Sequence, residues 1–281
     1  MTFSRLALFA LIKVSLNAAY AVKNSRRLRL ILNAAVVCAG IFLLMPCAFA
    51  GRFLTATKFP VGGVFPDYIA AADLNGDGNV DLVVANFGTP SHKGTTIAVL
   101  LSKGDGTFQK AVPYPSGGAE PVAIAVGDFN GDGKPDLAVS NRCAPFDCNA
   151  QSLGILINNG DGTFPAGSTY PVSGAFVATG DFNGDGKLDL AVGFGNLVIM
   201  LGNGDGTFTQ SVTYSILFEF TSIVVADFNA DGKLDIAGSG NVLLGNGDGT
   251  FHQVASYSGG GDLAVADFNN DGKLDLANPA G

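Results

Sequence analysis

The sequence predicts an all-β fold, a β-propeller of four-stranded blades, incomplete at four full repeats and one partial repeat. Three observations predict it. A nonapeptide patterned Asp-x-Asn-x-Asp-Gly-x-x-Asp starts at positions 73, 128, 181, 227 and 267. A Gly-Asp-Gly-Thr-Phe stretch alternates with it at 104–108, 160–164, 204–208 and 247–251. The segments between are short apolar runs rich in Val, Ile and Leu, such as Val122–Val126 and Leu153–Ile157. Runs of about four to six residues bounded by Gly, Asp and Asn have strand length and are too short for helices. Because they are apolar on successive residues, both of their faces are expected to be buried. Four strands in a unit of roughly forty to fifty residues is the pattern of a blade, which covers its faces only by stacking on its neighbours.

The first fifty residues stand apart. They hold six of the 16 basic residues and none of the 24 acids. A cationic cluster, Arg26-Arg27-Leu28-Arg29, precedes an apolar run from Leu30 to Met45 and the small-x-small pattern Ala48-Phe49-Ala50. That order is a secretory signal, cut after Ala50; if it is retained, the same segment is a membrane anchor. Export makes the protein extracellular, surface-attached or periplasmic, with the repeats occupying 51–281. Of the four cysteines, Cys38 and Cys47 leave with the signal, and Cys143 and Cys148 suit a small disulfide-closed loop.

From 51 onward ten bases face 24 acids, a balance that excludes nucleic acid as a partner, since phosphate binding needs a basic face. The acids are concentrated in the repeats: 22 of the 24 are Asp, and Glu occurs only at 120 and 219. Asp is short and bonds its own backbone two residues on, so it belongs to turns and metal loops. The nonapeptide spacings shorten from 55 to 40 residues along the chain, which places the length variation in loops. The fifth unit reaches only six residues past Asp275 and is expected to lack its later strands.

In the nonapeptide, positions 1, 3, 5 and 9 offer side-chain oxygens, and position 7 offers a backbone carbonyl. The candidate ligands of the first loop are Asp73, Asn75, Asp77, Asn79 and Asp81. Those of the second are Asp128, Asn130, Asp132, Lys134 and Asp136, and those of the third Asp181, Asn183, Asp185, Lys187 and Asp189. The fourth has Asp227, Asn229, Asp231, Lys233 and Asp235, and the fifth Asp267, Asn269, Asp271, Lys273 and Asp275. An all-oxygen set selects a hard cation, and a flexible loop suits Ca²⁺ better than Mg²⁺, so up to five Ca²⁺ are expected. Position 6 is Gly in all five copies, where the chain must bend with positive φ. A plain Asx turn explains one or two such residues but not Asn at position 3 and Asp at position 9 five times. A helical EF-hand is excluded, because position 12 is Val84, Val139, Val192, Gly238 or Asn278 rather than Glu. The Gly-Asp-Gly-Thr-Phe stretches are hairpin turns, and Phe108, Phe164, Phe208 and Phe251 are expected in the core between blades.

The alternation of DxNxDGxxD with LLGNGDGTF resembles the FG-GAP/VCBS repeats, the propeller repeats also found in integrin α chains, over about residues 51–281. The resemblance implies a Ca²⁺-holding loop between two adjacent strands of a blade, with Asp73, Asn75, Asp77, Asp81 and their equivalents as ligands. It also implies closure with about seven blades. The literal Gly-Ala-Pro is absent and Phe-Gly occurs only at Phe87-Gly88 and Phe194-Gly195, so the likeness is to the VCBS variant.

The function expected is a secreted or cell-surface calcium-binding module for protein or polysaccharide binding and adhesion, without catalytic residues. Two alternatives stand beside it: a propeller-based polysaccharide lyase or hydrolase, and a structural fragment of a larger surface protein. The enzyme reading has only His92, His252, Asp67, Glu120, Glu219 and Asp262 outside the loops, and no spacing selects among them.

Overall fold

The computed structural model describes residues 58–89, 91–144, 150–215, 222–238, 240–256 and 261–278. The chain divides into two compact units, Met1–Phe59 and Pro60–Gly281, and every described strand belongs to the second. The expected signal or anchor, Cys148 and Glu219 lie outside the described residues. Among the described residues no helix is long and apolar enough to cross a membrane.

Each repeat folds as an antiparallel meander. The first sheet takes β1 (Pro66–Ala72), β2 (Asp81–Thr89), β3 (His92–Leu100) and β4 (Val112–Pro115) in chain order. The second takes β5 (Ala119–Gly127), β6 (Asp136–Cys143), β7 (Ser152–Leu156) and β8 (Ser168–Tyr170). The third takes β9 (Phe176–Gly180), β10 (Asp189–Phe194), β11 (Asn196–Gly202) and β12 (Phe208–Ser215). The fourth takes β13 (Ile223–Ala226), β14 (Asp235–Gly238), β15 (Asn241–Gly245) and β16 (Phe251–Ser256). A fifth sheet pairs β17 (Ala264–Ala266) with β18 (Asp275–Ala277) alone among the described residues. The structure is thus all-β, with four complete propeller blades and one partial blade described.

The two-residue period of a strand decides where each side chain goes. On β6, Leu137 and Val139 join Val83, Ala85, Ile97 and Val99 in the core between the first and second sheets. Ala138, between them, faces the next joint with Leu190, Val192 and Met200 of the third sheet. On β10 the pattern repeats: Leu190 and Val192 face backward, while Ala191 faces Ile236 and Leu243 of the fourth sheet. Successive apolar residues therefore supply two different cores, which is why the second strands are apolar without alternation.

Each of the three joints between complete sheets closes on an aromatic lock. Phe208 meets Phe129 edge-on at 5.4 Å and Tyr170 at 6.3 Å, and its backbone N–H donates to Tyr170 Oη at 3.0 Å. One joint later, Phe251 meets Phe182 at 5.4 Å and Tyr214 at 6.3 Å, and its N–H donates to Tyr214 Oη at 2.7 Å. Phe164 and Tyr114 form the equivalent contact at 5.6 Å, with Leu74 in place of the second Phe in the same cluster. Phe164, Phe208 and Phe251 are buried as the sequence predicts, while Phe108 is half-buried.

Candidate metal centres

All five nonapeptides occupy the connection from the first to the second strand of their sheets. In an antiparallel meander, the connection from the third to the fourth strand returns to the same end. The Gly-Asp-Gly-Thr turns fill that connection in the four complete sheets. Both groups of acids therefore lie at one end of the strands.

The third loop shows the local geometry. Asp181 Oδ1 accepts from Gly184 N at 2.8 Å and Asp185 N at 3.1 Å, and its Oδ2 accepts from Gly186 N at 2.9 Å. Asp185 N also donates to Asn183 Oδ1 at 2.9 Å, so positions 1 and 3 converge on one amide. Asp185 Oδ1 accepts from Lys187 N at 2.9 Å. The second loop has the same set through Asp128, Asn130 and Asp132. In the first, fourth and fifth loops the bond from position 4 is replaced by one from the Asn side-chain amide to the position 5 carboxylate. These side chains fold over the loop rather than splaying outward.

Position 9 is held differently. Asp189 Oδ2 accepts from Phe182 N and Oδ1 from Gly202 N, both at 2.8 Å. Asp81 accepts from Leu74 N and Ser102 N, Asp136 from Phe129 N and Asn158 N, and Asp235 from Phe228 N and Gly245 N. All four are fully buried, at 0 % exposure. Asp275 keeps only the bond from Phe268 N among the described contacts and is half-buried. Burial pushes the Asp136 and Asp189 carboxyls above their usual range; backbone N–H groups oppose this, and the nearby charges of Asp132 and Asp128, or Asp185 and Asp181, reinforce it. At position 5, the backbone N–H of Asn79 is the main cause holding Asp77 below its usual range.

Position 7 has a side-chain role that the sequence does not announce. Lys134 Nζ lies 3.4 Å from Asp132 Oδ2 and donates to Asn159 O at 3.0 Å, and Lys187 Nζ lies 3.7 Å from Asp185 Oδ2. The lysine thus lies across the following turn and offsets part of the loop's negative charge.

Among the described residues no three His, Cys, Asp and Glu side chains gather into a cage by themselves. The donor set nevertheless fits a hard cation: carboxylates, a side-chain amide oxygen and a backbone carbonyl, with no nitrogen or sulfur required. A carboxylate offers about four lone-pair sites, and the two N–H bonds at Asp189 leave half of them open.

Position 6 is left-handed in every loop, with φ from 81° to 86°. Position 4 is left-handed too, which the sequence does not reveal: Gly76, Gly131 and Gly184 have φ of 72–75°, but Ala230 has 60° and Asn270 61°. A Cβ in this region costs about 1–2 kcal/mol, and Gly loses about 0.5–1 kcal/mol in chain entropy. Ala230→Gly is therefore expected to stabilise the protein by up to about 1 kcal/mol, and Gly184→Ala to destabilise it by a similar amount. A Cβ at Gly184 has Gly247 O as its nearest neighbour at 3.9 Å, so backbone strain alone is tested. Urea unfolding of the two variants reads this directly.

Other candidates have different partners. Glu120 pairs with Lys93 at 3.2 Å, and Asp67 is raised by burial and partly restored by Arg142. His92 Nδ1 lies 3.2 Å from Ser91 Oγ, and His252 Nδ1 lies 3.0 Å from Asn246 Oδ1. Cys143 is disulfide-bonded, and Lys93 Nζ donates to its sulfur at 3.4 Å.

The way neighbouring loops meet is not announced by any single motif. Phe129 O, at position 2, accepts from Gly206 N in the next turn at 2.9 Å, and Phe182 O accepts from Gly249 N at 3.0 Å. Leu74 O accepts instead from Asn158 Nδ2 at 2.8 Å. The signal was present in the apolar side chain at every position 2 and in the Tyr that recurs at 114, 170 and 214.

Three stretches, 73–139, 144–192 and 181–238, match the model of the FG-GAP-like repeat, together more than half of the chain. No curated protein matches in sequence. Among solved structures, the chain is similar to an Agrocybe aegerita lectin that recognises non-reducing terminal N-acetylglucosamine, at 19 % identity and a TM-score of 0.37. That alignment covers 76 % of this chain and 75 % of the lectin. It is also similar to the V. cholerae biofilm matrix protein Bap1, at 20 % identity and a TM-score of 0.47, covering 76 % of this chain and 34 % of that one.

Proposed function

The chain belongs to the FG-GAP-like repeat family, and from that premise we propose that it is an exported, non-catalytic β-propeller module whose acidic loops bind calcium and which binds a protein or polysaccharide. The observation that carries the calcium reading is the buried position 9 carboxylate within electrostatic reach of two further carboxylates of its loop, as Asp136 is of Asp128 and Asp132. Burying an ionised carboxylate among like charges is unfavourable unless a cation compensates. The position 7 lysine supplies only part of that charge from an exposed side. Calcium brings two positive charges and accepts relaxed oxygen geometry, so the same oxygens that brace the loop can close on it. Held this way, the loops pin the first strand of each sheet to the second and present a fixed surface at one end of the blades.

The reading is tested by melting. Calcium binds the folded loops and not the unfolded chain, so EGTA lowers the melting temperature and added Ca²⁺ restores it more than Mg²⁺ does. A ligand at a hundred times its Kd contributes about 2.7 kcal/mol per site, and about 1 kcal/mol shifts a chain of this size by roughly 2–4 °C. A fall of at least about 5 °C is expected. Identical melting in EGTA and Ca²⁺ contradicts the reading. Binding on a polysaccharide panel without turnover supports the non-catalytic assignment, and turnover overturns it.

A further inference from the structure

Resting on the calcium reading, we propose that the first four loops bind calcium as a coupled row, with the Gly-Asp-Gly turns as couplers. The hydrogen bonds form one continuous chain. Leu74 O in the first loop accepts from Asn158 Nδ2, while Asn158 N donates to Asp136 Oδ1 in the second loop. Asn158 is 1 % exposed, so a single buried residue, 84 positions from Leu74 in sequence, bridges the first and second loops. Its Oδ1 also accepts from Gly160 N and Gly162 N, which fixes the turn. From the second loop, Phe129 O holds Gly206 N, and Gly202, at the start of the same hairpin, donates to Asp189 Oδ1 in the third. From the third, Phe182 O holds Gly249 N, and Gly245 donates to Asp235 Oδ1 in the fourth. The fifth loop receives no such bond among the described residues.

Each of the first three loops therefore positions the turn that aims the next loop's position 9 carboxylate. A cation that orders one loop fixes its position 2 carbonyl, and through the turn it prearranges the neighbour's ligand. Linkage makes the effect reciprocal, so occupancy of either neighbour favours the other.

Hydrogen–deuterium exchange of the full chain at increasing free Ca²⁺ reads each loop's midpoint separately. Disabling the second loop with Asp128→Asn and Asp132→Asn is expected to raise the midpoints of loops 73–81 and 181–189 by about fivefold or more. Loop 267–275 is expected to stay unchanged as the internal control. If that variant does not fold, Asn158→Ala keeps every ligand and is expected to raise the midpoints of the first and second loops. Asn158→Gly, which copies Gly202 and Gly245, frees Gly162 N for Leu74 O and is expected to restore them. Neighbours whose midpoints do not move while the second loop falls silent overturn the coupling and leave calcium binding intact. A wild-type chain in which no loop responds to Ca²⁺ overturns both.

Discussion

Asp189→Ala is expected to destabilise the protein by about 2–6 kcal/mol, because it leaves two buried backbone donors, Phe182 N and Gly202 N, without acceptors at about 1–3 kcal/mol each. Asp185→Ala, at an exposed position of the same loop, is expected to change calcium-free stability far less while removing the loop's response to Ca²⁺. The pair separates the structural role of position 9 from the cation-binding role of position 5. Charge adds a pH signature. The Asp189 carboxyl is raised by burial and by its two neighbours, so the folded state binds its proton more tightly than the unfolded state does. Calcium-free stability from this group is therefore greatest at low pH and falls as pH rises through the raised value. Bound calcium removes that fall. Denaturant titrations of both variants, with and without EGTA, check these outcomes. A calcium-free loss below about 1 kcal/mol for Asp189→Ala contradicts the structural role.

Phe208→Ala is expected to cost about 3–5 kcal/mol, the range for truncating a buried aromatic. The ring is 5 % exposed, and it joins the second and third sheets through Phe129 and Tyr170. Its removal opens a cavity at a joint between rigid sheets, where collapse is limited. Phe108→Ala is the matched control: the same motif residue is half-buried, and its truncation is expected to cost less. Equal losses in the two variants contradict the lock between sheets.

The strands and the loops were legible in the sequence because both are local. Leu190-Ala-Val192 carries enough apolar surface to require burial on both faces, and Gly186 announces a left-handed bend by its identity. Phe164, Phe208 and Phe251 could be placed between blades for the same reason, whereas Phe108 of the first such stretch is only half-buried. The position 4 bend was not legible, because Ala230 and Asn270 occupy a conformation their side chains disfavour. The more distant partner of each buried position 9 carboxylate lies at or just past the end of the third strand, 10 to 22 residues away, and depends on sheet register. Asn158 was hidden most completely. Its bridge to Leu74 exists only once two sheets have stacked, and its counterparts Gly202 and Gly245 make no side-chain bond at all. Repetition in sequence shows what every unit shares, whereas the contacts between units depend on the stacking.

The acidic loops are expected to be cation sites and not merely turns. Elemental analysis of the purified full chain, equilibrated with Ca²⁺ and freed of excess ion, tests it most directly. The expected result is close to one tightly held calcium for each intact acidic loop, with one fewer after Asp185→Ala. A folded protein that retains no calcium contradicts it.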